Sequence, residues 1–200
     1  MTELDPRPRI VEVAQLMFQR MLTNSAGGNI SVRLGERIYI TPKYAGSRYL
    51  WSLRPEQINV LTLAHEKVAG SGELSRESQM HFAVLDHYPE VGAVIHAHPR
   101  FASVFAVAGK PIVPTMEYTD KFGCVDVVPP LPAHSQELAD AVVAALAPKR
   151  EKLAKHGLPL ILAKHGVVAV GRTLEDAFDT LERMEWSAHA LLMARLLPDG

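Results

Sequence analysis

The 200 residues suffice for one domain with a sizeable core, and by preference are too few for two independent ones. With 48% hydrophobic and 22% charged residues and a net charge of −1, the chain offers no electrostatic counterpart to nucleic acid or to an anionic membrane. A single cysteine, Cys124, excludes an intrachain disulfide framework. No apolar run reaches the about 20 residues of a membrane span, and none forms a secretory leader, so the expectation is one cytoplasmic globular domain over residues 1–200.

Ile10, Val13, Ala14, Met17 and Met21 recur at helical spacing behind a proline-rich leader, which predicts a helix over residues 10–22. "NSAGGNISV" breaks it with two glycines and leads into a strand over 29–33, and "RIYIT" is a second strand ended by Pro42. "LRPEQINVLTL" reads as a turn and a strand, and "HEKVAGSG" as a hairpin-like connection. In "LSRESQMHFAVLDHYPEV" the period changes. Ser75 is the predicted N-cap of a helix carrying Met80, Ala83, Val84 and His87, stopped by Pro89. Residues 91–98 form a strand, "RFASVFAVAG" a short helix closed by Gly109, and "PIVPTMEY" and "CVDVVP" two short strands. "SQELADAVVAALA" is an amphipathic helix capped by Ser135. "LPLILAKHGVVAVG" is two strands about a tight turn at His165 and Gly166. The final helix opens on a relaxed capping box of Thr173 and Asp176. Strands and helices mix without strict alternation, so the expected fold is an α/β sandwich with a mixed, largely antiparallel sheet.

Strand alternation puts His96 and His98 on one face with Val94 and Gly92, and Val91, Ala93, Ile95 and Ala97 on the other. Two such imidazoles can chelate one cation, but a chain with nine histidines also produces such a pair by chance. A catalytic ion asks for a third ligand, an open position and a nearby carboxylate. His165, at a strand end beside a glycine, suits the third place. Glu77, in the first turn of the preceding helix, can reach the same sheet edge; its alternative reading is a carboxylate favourably placed against a helix dipole. His65, His81, His87, His134, His156 and His189 read as structural or surface residues.

In combination, "AGGNISVR", "ITP", a Ser-x-Glu helix start, "HAHP" and "KHGVVAVG" resemble, in order and spacing, the class II aldolase/adducin family, over nearly the whole chain. The resemblance implies a three-layer α/β/α fold and a homotetramer with active sites between subunits. It also implies a divalent metal, typically zinc with manganese or cobalt compatible, held by His96, His98 and His165. Glu77 matches the family's acid/base. Tyr118 matches a proton donor contributed by a neighbouring subunit, although it also reads as an ordinary amphipathic strand residue. Family members bind phosphate with small residues of three loops. Here the first keeps Gly28 and Asn29. The second, "TPKYAGSRYLW", carries Lys43 and Arg48, and the third is Ser75-Arg76. Those cations either bind phosphate, bind a carboxylate, or are solvated loop charges.

The expected activity is a metal-dependent lyase making or breaking a C–C bond beside a hydroxy-carbonyl unit of a sugar phosphate or similar small acid, through a metal-stabilised enediolate. Decarboxylation and dehydration pass through the same enediolate and stand as alternatives. A non-catalytic adducin-like module is the third reading, although such a module has no physical need of three histidines and a carboxylate.

Overall fold

The structure, a computed structural model, describes residues 5–198. Prolines 6 and 8 introduce α1 (Arg7–Gln19), whose buried stripe of Ile10, Val13, Ala14 and Met17 is the periodicity seen in the sequence. Four strands then meander: β1 (Asn29–Leu34), β2 (Arg37–Ile40), β3 (Asn59–Thr62) and β4 (Lys67–Ala69). The expected hairpin-like connection is thus partly a strand; β4 is exposed along its length and forms one sheet edge. After α2 (Ser78–His87) come β5 (Ala93–Ala97), α3 (Ala102–Ala108), β6 (Val127–Val128) and α4 (Gln136–Leu146). The chain closes with α5 (Arg150–Leu153), β7 (Leu158–Leu162), β8 (Gly166–Gly171) and α6 (Leu174–Ala194).

The eight strands form one sheet in the order β4-β3-β2-β1-β5-β8-β7-β6. Every adjacent pair is antiparallel except β6 with β7. Alternation along the strands divides the core in two. Ile30, Ala93, Ile95, Val167 and Ala169 meet α1, α3 and α6 on one face. Ile38, Ile40, Val94, Val168 and Val170 meet α2 and α4 on the other. Each fully buried Val, Ile or Leu contributes about 1.5–3 kcal/mol, so both sheet faces need a helical cover, and the three-layer α/β/α architecture follows.

Three local readings change. The helix expected to be capped by Ser75 starts later: Glu77 holds the N-cap position, and Ser75 makes the turn before it, its carbonyl accepting from Ser78 Oγ at 2.6 Å. The segment "PIVPTMEY" is not a strand. Pro111 and Pro114 lack the N–H groups a ladder needs, so only an Ile112–Val125 bridge survives, and Tyr118 lies in a 3₁₀ helix, Glu117–Phe122. Val91 precedes β5 and packs with Val94 on the α2/α4 side, against the strict alternation expected.

Candidate metal centre

β5 delivers His96 fully buried beneath α2, and His98 just past the strand end. Register carries the rest of the site to that place. Asn29 of β1 and Val168 of β8 lie opposite His96 on either side, and the β7–β8 turn brings in His165. That turn needs Lys164 at φ 61°. It also needs glycine at 166, because a Cβ there would stand 2.5 Å from His98 Cδ2 and 2.6 Å from the Ala97 carbonyl. At the start of β1, Gly28 adopts φ +113°, and a Cβ would lie 2.9 Å from the His96 carbonyl oxygen.

The three rings converge. One ligand atom from each of His96, His98 and His165 lies within 4.8 Å of the others. Ring centroids are 5.0 Å apart for His96–His98, 4.7 Å for His96–His165 and 5.9 Å for His98–His165. His96 Nδ1 faces the Val167 carbonyl at 2.9 Å and must donate to it, which leaves Nε2 as an acceptor aimed into the site. His96 Nε2, His98 Nε2 and His165 Nδ1 are all buried without a hydrogen-bond partner. Such unpaired nitrogens are costly unless a ligand satisfies them. Burial, with the neighbouring imidazoles adding to it, pushes His98 down to about 4, and burial likewise lowers His96, so both rings are neutral and their lone pairs free. The donor set therefore fits a divalent ion bound by imidazoles.

Glu77 closes the site from the N-terminus of α2. Its Oε1 lies 3.0 Å from His165 Nε2 and 3.6 Å from His96 Nε2, and its Oε2 accepts from Asn29 Nδ2 at 2.8 Å. Burial alone would raise its pKa. The His165 hydrogen bond, the electrostatic attraction of the His96 imidazole and the Asn29 hydrogen bond outweigh it and hold the carboxyl well below the usual range, so Glu77 is ionised. Asn29 Nδ2 also donates to Ser75 Oγ at 3.1 Å. Its Oδ1 faces His81 Nε2 at 2.7 Å, and His81 Nδ1 faces Ser31 Oγ at 2.7 Å. His81 is fully buried; desolvation, with the neighbouring His96 imidazole adding to it, pushes it down to about 3.

A cavity of about 260 Å³ opens over the histidines. Gly28, Asn29, Lys43, Ser75 and Arg76 line it with Glu77, His98 and His165, whereas Arg48 and Tyr118 do not. Arg48 instead stacks on Tyr44, its Cζ 5.1 Å from the ring centroid, and Lys43 reaches Glu73 Oε2 at 3.4 Å. Tyr118 lies against Arg183 of α6, the guanidinium carbon 5.5 Å from its ring centroid. Two histidines read as structural or surface residues also belong to the site. His81 stands one helical turn after Glu77, a spacing that could have revealed it. His134 lines the cavity from the loop before α4, with no sequence signal beyond its adjacency to the cap Ser135. A larger cavity, about 530 Å³, lies between the end of α1, α6 and Arg100–Phe101 and is lined by none of His96, His98 and His165. Within it the buried Glu185 accepts from the Phe101 and Ala102 N–H groups, each at 2.7 Å, and so anchors the segment that follows His98.

Comparison with known proteins bears on the family and the fold. An L-fuculose phosphate aldolase of Methanococcus vannielii is 31% identical over 88% of this chain and 89% of its own length. A 3-oxo-tetronate 4-phosphate decarboxylase of Haemophilus influenzae is 29% identical over 94% of this chain and 87% of its own. Among solved structures, an L-fuculose 1-phosphate aldolase superposes with a TM-score of 0.83 at 24% identity, covering 100% of this chain and 93% of that one, which bears on the fold. Residues 8–192 match the family described as class II aldolase and adducin N-terminal domain, and the chain belongs to that family.

Proposed function

We propose that the protein is a zinc-dependent aldolase-type lyase that breaks or forms the C–C bond beside a hydroxy-carbonyl group of a sugar phosphate. One observation carries the reading: the imidazoles of His96, His98 and His165 converge, one nitrogen of each within 4.8 Å of the others, with the carboxylate of Glu77 3.0 Å from His165 Nε2 and 3.6 Å from His96 Nε2. His96, His98 and His165 would hold the ion, whose charge, when bound, lowers the energy of an adjacent enediolate.

The chain's own residues handle substrate and protons. In cleavage the electron pair of the C–C bond passes to the α-carbon as the β-hydroxyl loses its proton, and the α-carbon then takes one up. Glu77, ionised and held at Oε2 by Asn29, is placed to carry that proton on Oε1. Ser75 and the backbone at Gly28 line the part of the cavity that receives the anionic end of the substrate. Replacing Glu77 by Gln is expected to keep the metal and lower turnover about 10²–10⁴-fold. Unchanged turnover removes the acid/base role.

The cationic mouth formed by Lys43 and Arg76, together with the decarboxylase among the relatives, supports a second reading, decarboxylation of a keto acid in the same cavity. Carbon dioxide release from such an acid, without aldehyde release, distinguishes it. Tyr118, half-exposed beside α6 and absent from its own cavity, suits a donor to another subunit's site in a homotetramer.

A further inference from the structure

The loop leading into α4 presents His134 to the metal cavity with its backbone at φ 69°, in the left-handed region that disfavours residues bearing a side chain. Capping does not account for the imidazole, since Ser135 Oγ already accepts from Leu138 N at 3.1 Å. Among the described residues, the side chains of His134 and Arg76 make no hydrogen bond or ion pair. Both line the main cavity, and both also line a narrow crevice between the starts of α2 and α4. Among the cavity's lining residues the only carboxylate is Glu77, already engaged by His165 and Asn29, while Lys43 is drawn toward Glu73. An always-charged guanidinium and an imidazole donor thus share one edge of the cavity with no anion of the chain to meet.

We propose that His134, beside Arg76, forms an oxyanion-binding edge of the cavity and determines specificity for substrates bearing a phosphate or carboxylate group; the inference rests on reading this cavity as the substrate site. The left-handed backbone turns the imidazole toward bound substrate, so the unfavourable conformation serves recognition. His134 is a binding residue here, with no part in proton transfer at the reacting carbon.

Calorimetric titration of metal-replete protein with dihydroxyacetone phosphate, hydroxypyruvate and uncharged dihydroxyacetone tests this. His134→Gly keeps the backbone conformation accessible and removes the ring, and His134→Asn retains a hydrogen-bonding group that tolerates it. The Gly variant is expected to bind at least one anionic probe about tenfold or more weakly, with dihydroxyacetone changed by less than about twofold and the Asn variant in between. Its Tm should equal or exceed that of the unaltered protein, because glycine relieves the backbone. Loss confined to dihydroxyacetone phosphate identifies phosphate as the recognised group, and loss confined to hydroxypyruvate identifies carboxylate. Unchanged anion binding in the Gly variant, equal loss of all three probes, or failure of the unaltered protein to prefer either anion over dihydroxyacetone overturns the assignment. Retained turnover in Glu77→Gln would end the lyase reading while leaving the His134-dependent binding difference in place.

Discussion

Asn29 has every side-chain hydrogen-bonding group committed. Both Nδ2 protons go to Ser75 Oγ and Glu77 Oε2, so Oδ1 can only accept, and His81 must donate from Nε2. A neutral His81 then accepts the Ser31 hydroxyl proton at Nδ1, which agrees with its depressed pKa. The chain Ser31–His81–Asn29–Glu77 therefore fixes one carboxylate oxygen and leaves the other facing the histidines. Replacing Asn29 by Ala strands a buried His81 N–H. It should cost about 1–3 kcal/mol in urea unfolding and lower turnover while metal content stays constant. Equal stability and turnover would show that the chain positions nothing. Part of this was legible in "ESQMH", where Glu77 and His81 stand four apart and share a helix face. That Asn29 lies between them was not, because its partners are 46 to 52 residues away and meet only through the β1–β5 register.

The element that decides the site is the β7–β8 turn. Three residues, Ala163 to His165, reverse the chain, with His165 N bonded to the Leu162 carbonyl at 3.0 Å and Lys164 N to the Ala106 carbonyl at 2.9 Å. Its sequence, "AKHG", announced a turn and a strand-end histidine, and the structure has both. Gly166→Ala drives a methyl group into His98 and the Ala97 carbonyl, and should destabilise the protein by about 1–3 kcal/mol and reduce metal binding together. Thermal unfolding with and without added zinc measures both effects; full metal binding in this variant would mean that the close packing around His98 is dispensable. Elements with strong periodicity, such as α1, α4 and α6, lie close to where the sequence put them. The failures cluster where propensity and tertiary demand conflict. At "PIVPTMEY" two prolines defeat a β-rich composition, and at Ser75 the need to bring Glu77 over the histidines delays the helix.

For the whole molecule, the sheet places the two faces of β5 under different obligations: Ile95 and its neighbours fill the α1/α3/α6 layer, while on the other face Val94 packs into the α2/α4 layer and the buried His96 meets Glu77 and His165. The layered architecture was readable from alternation and from the family resemblance. The separation of Arg48 and Tyr118 from the cavity depends on how a long loop and a 3₁₀ helix fold back, which no local pattern encodes. If Tyr118 serves a neighbouring subunit, Tyr118→Phe and Glu77→Gln, each of low activity alone, should recover about a quarter of full activity when unfolded together and refolded as mixed oligomers. No recovery would place every acting group within one chain.

Elemental analysis of the purified protein tests the centre itself. About one divalent ion per chain is expected in the unaltered protein, with His96→Ala and His165→Ala each far below that level while retaining the fold by circular dichroism. Full occupancy in both variants would contradict the convergence of three imidazoles on one ion.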